Sequence, residues 1–408
     1  MGWRTGRART TEPFTATAMN IACVGAGPAG LFFSILMKER YPEHEITVFE
    51  RNPAGVTYGW GVVFWDDLLD EVEAADAETA RDLRAHAFRW SGEQLVVEDR
   101  DPVTLDFPGY AIGRRRLLDL LLARARGLGV RVRFETQVDY PAELADADLI
   151  AVCDGANSRL RQGLLQQLGT SCQTGSNKYV WLGTTKVFDQ FTFAFVETLA
   201  GWVWSHAYGF DGGTSTFIVE CSQRTWVMLG FDRIGRAEAL TRLERLFASH
   251  LDGHPLLANG SSRWQSFRTI TNEHWQHGNV VLLGDAAHTT HFTIGSGMKL
   301  ALEDAIALAN LQDGRPLRSA LEAYERDRKA ALRPRQTDAR FSARWFENVR
   351  RYAQLDPARF FALMHERRSP LLPRCPPRLY YRLHQATHDV AALRELRRWA
   401  APKIKALC

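Results

Sequence analysis

Between an apolar strand and a helix lies the run Gly25-Ala26-Gly27-Pro28-Ala29-Gly30, and no other feature restricts the fold of this chain so tightly. Ile21-Ala22-Cys23-Val24 reads as a buried strand, and Gly30 opens a helix over Leu31 to about Arg40. Glu45 to Phe49 forms a second strand, ending at Glu50 and Arg51. This order is the βαβ unit of a dinucleotide-binding fold. Its glycines let the backbone turn tightly and approach a pyrophosphate at a helix N-terminus. Glu50, at the strand end, offers a carboxylate to ribose hydroxyls. Taken alone, the unit fits NAD and FAD equally.

The chain has 408 residues, enough for one large domain with a second inserted in it. Its 51 basic and 47 acidic residues leave a net charge of +4, which argues against a nucleic-acid binder. A local basic pocket for a phosphorylated ligand stays open. The cysteines at 23, 153, 172, 221, 375 and 408 show no metal-ligand spacing, so neither a metal site nor a disulfide framework is expected, and a reducing cytoplasm fits. No apolar stretch approaches the roughly 18–20 residues of a membrane span. Residues 1–18, basic and Thr-rich without an apolar signal core, read as a disordered leader.

Further along, residues 66–86 read as helical and 93–107 alternate like a hairpin. A helix follows Gly113-Arg114, and strands return at 130–134 and 149–153. From 176 to 270 aromatic and β-branched strands dominate, with turns such as Asp211-Gly212-Gly213 between them, and an amphipathic helix closes the stretch at about 236–250. Val280 to Leu283 is the last core strand, 298–312 a helix, and the chain from about Leu317 is helical and Arg-rich.

Two more segments follow apolar strands: Asp154-Gly155-Ala156-Asn157-Ser158-Arg159-Leu160-Arg161 and Gly284-Asp285-Ala286-Ala287-His288. Both acids then emerge at the carboxyl edge of the sheet, where ligands of such folds bind. With the glycine turn, these segments resemble the single-component FAD-dependent aromatic hydroxylases typified by p-hydroxybenzoate hydroxylase. The resemblance implies an α/β fold: a discontinuous Rossmann-like FAD-binding domain (19–175 and 271–330, with some substrate-domain strands near 90–110), an inserted antiparallel β-sheet substrate domain (176–270) and a helical C-terminal region (331–408). It implies FAD as cofactor and NADH or NADPH as transient electron donor. Asp154, Gly155 and Arg161 match the segment near the pyrophosphate and nicotinamide, Gly284, Asp285 and His288 the ribityl segment, and Arg114 the flavin-contacting arginine. Where the family continues with a proline and Gly-Gln-Gly, this chain has Phe292 and Gly295-Ser296-Gly297; Gly295 and Gly297 keep amides that can face the isoalloxazine.

The segments 58–64, 177–185 and 217–221 are similar to hydroxylases of aryl-CoA thioesters, and the tryptophan-derived indole hydroxylases of violacein synthesis share many of them. Some relatives carry a second reductase domain. This chain ends without one, so ring reduction after hydroxylation is not expected of it. In such enzymes oxygen adds at the flavin C4a and an electrophilic OH passes to an activated ring, so the expected partners are O2 and an aromatic small molecule, an amino- or hydroxybenzoyl thioester of CoA or a carrier protein. An indole-derived substrate is the alternative, and an oxidase or binding chaperone the reading from another class. A base could deprotonate the ring substituent; His206, Tyr208 and His291 are the candidates. Trp60, Lys178 and Phe292 are the expected substrate contacts. Arg344, Arg350 and Arg351 on a late helix could reach CoA phosphates. Trp202-Val203-Trp204 is similar to the Trp-x-Trp of flavin halogenases, but the Ile-Pro that follows there is absent, and aromatics alternating along one strand face explain the pair.

Overall fold

The computed structural model describes residues 18–310 and 316–389. All of the expected leader except Ala18 lies outside the described residues, as does the C-terminal region beyond residue 389.

Five parallel strands form the first sheet in the order Val280–Leu282, Leu149–Val152, Asn20–Val24, Glu45–Phe49 and Arg131–Arg133, and Gln276–His277 adds an antiparallel edge. Val280–Leu282, Leu149–Val152 and all but the first residue of Asn20–Val24 are buried without a break, as strands covered on both faces must be. The first helix starts at Pro28, three residues earlier than its apolar pattern suggests, because proline suits the first helical turn. It buries Ala29 through Met37 without a gap, wedged between the sheet and the helices Gly297–Asn310 and Arg114–Gly127.

A second sheet of seven strands runs in the order Leu256–Leu257, Asn177–Thr184, Ser215–Ser222, Gly201–Gly209, Phe191–Thr198, Glu93–Val97 and Val103–Leu105. It is antiparallel except where Glu93–Val97 lies parallel to Phe191–Thr198. That pair joins chain segments nearly a hundred residues apart, so no hairpin fixes its direction. The 93–107 stretch is thus a hairpin, and it widens this second sheet.

Both faces of the second sheet are covered. Val180, Leu182, Phe217 and Val219 pack with residues of the helices Gln223–Met228 and Arg236–Leu246. The expected helix at 236–250 breaks at Phe247, after which a short turn, Ala248–Leu251, follows. On the opposite face, Trp204 stacks between Phe195 and Phe346, at ring-centroid distances of 6.0 and 5.9 Å. Trp345, Phe360 and Phe361 complete this cluster from the helices Leu317–Glu347 and Pro357–His365. Each such buried aromatic contributes roughly 1.5–3 kcal/mol. Trp202 packs against the same cluster, as alternation along one strand face requires. Among the described residues, no helix is long and apolar enough to cross a membrane.

Candidate active site

The two sheets and the C-terminal helices enclose a cavity of about 940 Å³. Its floor at one end is the glycine turn. Gly25 has φ +108°, and a Cβ there would stand 2.4 Å from the Cys153 carbonyl oxygen; one on Gly30 would stand 2.2 Å from the Gly25 carbonyl oxygen. Only glycine lets the turn and the Leu149–Val152 strand end approach this closely. Gly27, Pro28 and Ala29 line the cavity, and no side chain caps the helix start, so its amides are available to an anion. Glu50 lies below them: one carboxylate oxygen accepts from the Ala26 N–H at 3.0 Å, the other from the Asn52 backbone and side chain at 2.9 and 2.6 Å. Arg51 is exposed on the bend that follows.

The second and third segments meet beside this turn. Arg161, 4 % exposed, donates to the carbonyls of Ala156 (2.6 Å) and Ala286 (3.0 Å), so it ties the two segments together. Asp154 accepts the Arg159 N–H through one oxygen while its other oxygen, Oδ1, is buried without a partner. Gly155, at φ +81°, faces open space and lines the cavity. Gly284 and Asp285 line it too, and the protein around Asp285 pushes its carboxyl up while Arg114, His288 and Arg161 pull it down. Arg114 also borders the cavity, its buried Nε unpartnered. At the near wall, Gly295 turns at φ +64° against Trp65, and Gly297 opens a helix with no atom near the place of its Cβ. A glycine cradle, an uncapped helix start, an unpartnered guanidinium nitrogen and an unpartnered carboxylate oxygen fit a flavin dinucleotide.

His288 does not reach the cavity. Its Nε2 lies 2.8 Å from Asp304 Oδ2, and its ring stacks on Trp275. Asp304 also accepts the Gly284 N–H and the Arg328 Nε. The histidine expected to hold cofactor therefore braces the turn from below.

At the other end the cavity is aromatic. Phe191, Phe193, Tyr208, Trp181 and Tyr179 line it, and Phe292 stands 4.8 Å from Tyr179 and 5.6 Å from the His206 ring. His206 is 2 % exposed, with Nε2 3.2 Å from Glu220 Oε2. Glu220 also accepts from Trp204 Nε1 and Asn177 Nδ2. Burial works to raise the Glu220 carboxyl, but the His206 bond and charge, the His291 charge and the Asn177 amide outweigh it and hold the carboxyl below its usual range. An ionised carboxylate only accepts, so in the neutral ring Nε2 of His206 carries the proton and leaves Nδ1 as the open acceptor.

Tyr208 lines the cavity, but its hydroxyl donates to the Gly61 carbonyl at 2.9 Å and burial pushes the phenol well up, so it keeps its proton. His291 lies outside the cavity lining, stacked on Phe292, tilted against Phe267 and bonded to Thr293 Oγ1; burial pushes it down to about 4. Lys178 is a correction. The Asn177–Thr184 strand turns Tyr179 and Trp181 into the cavity, so alternation sends Lys178 to the other face, where its Nζ sits 5.4 Å from the Trp226 ring. Trp60 is another: its ring packs on Gly183 outside the cavity. Arg344 and Arg350 are exposed, and Arg351 donates to the Pro373 and Cys375 carbonyls.

Sequence reasoning missed a polar cluster on the chamber wall. Glu93, 7 % exposed, places Oε2 3.2 Å from His365 Nε2, neither atom making a geometrically sound hydrogen bond. Burial pushes Glu93 up, against the pull of Arg367 and Arg368, and pushes His365 down to about 4. Arg367 donates to Ser342 Oγ (3.1 Å), Met364 O (2.8 Å) and Thr293 O (3.2 Å), which joins the C-terminal helices to the turn at Phe292.

Comparison with known proteins agrees with this geometry. Residues 115–336 match the FAD binding domain family. Salicyloyl-CoA 5-hydroxylase from Streptomyces sp is 42% identical over 346 residues, which cover 82% of this chain and 67% of the relative. The 3-hydroxy-4-methyl-anthranilyl-[aryl-carrier protein] 5-monooxygenase of Streptosporangium sibiricum is 37% identical over 335 residues, 81% of this chain and 90% of the relative. Among solved structures, the tetrameric form of 2-methyl-3-hydroxypyridine-5-carboxylic acid oxygenase shares the fold at TM-score 0.66 and 18% identity, covering 84% of this chain and 97% of its own. With a dinucleotide cradle opening into an aromatic chamber, and with these relatives, the chain belongs to the FAD-binding, NAD(P)H-dependent monooxygenases that act on aromatic rings.

Proposed function

We propose that this enzyme hydroxylates an aromatic ring carried as a thioester, an amino- or hydroxybenzoyl group on CoA or a carrier protein. The observation that carries the reading is the His206–Glu220 pair in the aromatic chamber, next to the turns of the flavin signature. Bound FAD supplies the redox chemistry, reduction by NAD(P)H and activation of O2.

The chain's own part is binding, orientation and proton handling. The amides after Gly27 and the Gly155 backbone would hold the pyrophosphate, and Arg114 and Asp285 the flavin end of the cofactor. Phe292, Tyr179, Phe191 and Phe193 present rings against which a substrate ring packs, and they exclude water. Nδ1 of His206 would take the proton of the ring hydroxyl or amine, which raises electron density at the ortho and para carbons. Glu220 stabilises the resulting imidazolium and fixes the tautomer. Tyr208 shapes the chamber as a fixed hydroxyl. The thioester rests on the two relatives whose names specify CoA or carrier-bound aryl groups.

The test is NAD(P)H oxidation by the yellow holoenzyme with salicyloyl-CoA, 2-aminobenzoyl-CoA, the free acids and tryptophan in turn. Stimulation by a thioester but not by its acid, with a product one oxygen heavier, is the expected result. Equal stimulation by the acids or by tryptophan would remove the thioester, and tight flavin binding without stimulation would remove hydroxylation.

A further inference from the structure

Of the six Arg and Lys side chains that line the cavity, three are engaged. Lys299 lies within 3.4 Å of Asp67, Glu71 and Glu303. Arg268 reaches the Asn157 side chain. Arg367 spends its donors on three fixed oxygens. The other three, Arg114, Arg335 and Arg368, make no side-chain hydrogen bond or 4 Å ion pair among the described residues; Arg114 sits near Asp285 of the flavin segment, which leaves Arg335 and Arg368, both half-buried on the cavity wall, without an assigned role. The acids felt at Arg368 are Asp338 and Glu93, while Arg335 adds a like charge.

Three guanidiniums, Arg335, Arg367 and Arg368, therefore line the cavity with Glu93, whose neutral form burial favours, while Asp338 acts on Arg368 from outside the lining. A partly desolvated guanidinium without a partner is unfavourable, and its planar fork matches an anion's oxygens. The wall also has a direction. Arg367 reaches both Thr293, beside Phe292, and Ser342, which is fully buried. Arg335 stands seven residues before Ser342 on the same helix, roughly 10 Å along its axis at about 1.5 Å per residue. From a buried end near the ring chamber, the wall runs to a half-buried cationic end about two helical turns away.

We propose that Arg335 and Arg368 form a subsite for the phosphate of a pantetheine arm, borne by CoA or by a carrier protein, and so set how far the thioester reaches into the chamber. The assignment rests on the thioester reading above. The arm would run along the Leu317–Glu347 helix, with its thioester end toward Arg367.

The test uses the holoenzyme and the variants Arg335→Gln, Arg368→Gln, the double variant and Arg368→Lys, each checked for flavin content and thermal midpoint. Calorimetric titration with CoA, 4′-phosphopantetheine and phosphate-free pantetheine separates the phosphate from the arm. The double variant should bind CoA and phosphopantetheine at least about tenfold more weakly, with pantetheine unchanged and Arg368→Lys close to wild type. In turnover, KM for an aryl-CoA should rise by a similar factor at constant kcat, and KM for the aryl-pantetheine thioester should stay fixed. A phosphopantetheinylated carrier protein distinguishes the two sources of the phosphate, and dependence on the arginines with either one supports the subsite. Absence of CoA and phosphopantetheine binding in the wild type, or equal losses with pantetheine, overturns it. Because binding is read without turnover, the two proposals fail separately. Arginine-dependent binding without thioester-stimulated oxidation would sink the hydroxylation reading alone, and turnover indifferent to both arginines would sink the subsite alone.

Discussion

His288 Nε2 stands 2.8 Å from Asp304 Oδ2, and the same oxygen accepts the Gly284 N–H at 2.9 Å. One buried carboxylate thus fixes both ends of the third signature segment. Arg328 Nε holds its other oxygen at 2.8 Å. Replacing Asp304 by Ala leaves an arginine and a histidine beside an empty site and should destabilise the fold by about 3–5 kcal/mol. Denaturant unfolding with and without added FAD measures the loss.

The same group gives a signed pH effect. Burial works to raise the Asp304 carboxyl, but His288 and Arg328 overcome it and leave it below its usual value. Its contribution is therefore complete above the unfolded carboxyl's pKa, about 3.9, and is lost as pH falls through the lower folded value. Between pH 5 and 8 the stability difference between wild type and Asp304→Asn should not change through this group. Below pH 4 the difference should shrink, as read from thermal midpoints across the series.

Glu93 has the opposite sign. Its folded carboxyl lies above the usual value through burial. Ionisation then works against folding as pH rises past the unfolded value. Glu93→Gln should gain stability relative to wild type as pH is raised from 4 to 8, and a constant difference over that range would contradict this.

Two glycine substitutions should part company. Alanine at Gly30 drives its Cβ into the Gly25 carbonyl, so the protein should purify without flavin. Alanine at Gly155 meets no atom within 4 Å and pays only for its left-handed backbone, about 1–2 kcal/mol. That variant should keep flavin with a lower thermal midpoint. The flavin-to-protein absorbance ratio separates the two outcomes.

His206 and Tyr208 are told apart by their pH profiles. Tyr208→Phe loses one hydrogen bond, worth roughly 1 kcal/mol, and should leave the pH dependence of kcat in place. Glu220→Gln removes the carboxylate that fixes the His206 tautomer, and it should lower kcat by roughly 10²-fold and move its acid limb. Steady-state kinetics from pH 5 to 9 with one thioester would show both.

The parallel sheet and its glycine turn were legible because their rules are local: a strand, a tight turn and a helix within thirty residues of one another. The lysine at 178 was misread because both faces of its strand are covered. Alternation of polar and apolar residues then no longer marks which face is which. His288 was assigned to the cofactor through its motif, yet the motif preserves a brace whose partner, Asp304, lies 16 residues on. Glu93, His365, Arg335, Arg367 and Arg368 carried no signal, since each is ordinary in its own segment and they meet only after the C-terminal helices cross the second sheet. His206 was readable by strand alternation, but its partner Glu220 depends on the register of neighbouring strands, which no short pattern encodes.

Arg367 joins Ser342 to Thr293 and so makes the helical tail one wall of the ring chamber. The segments at 25–30, 154–161 and 284–288 make no hydrogen bond to Arg367, whose partners are Ser342, Met364 and Thr293. Sequence drift beyond Arg328, which still anchors Asp304, can therefore reshape what the chamber admits while the redox apparatus stays as it was, a division of labour that lets one scaffold acquire new substrates by changing the chain after that anchor.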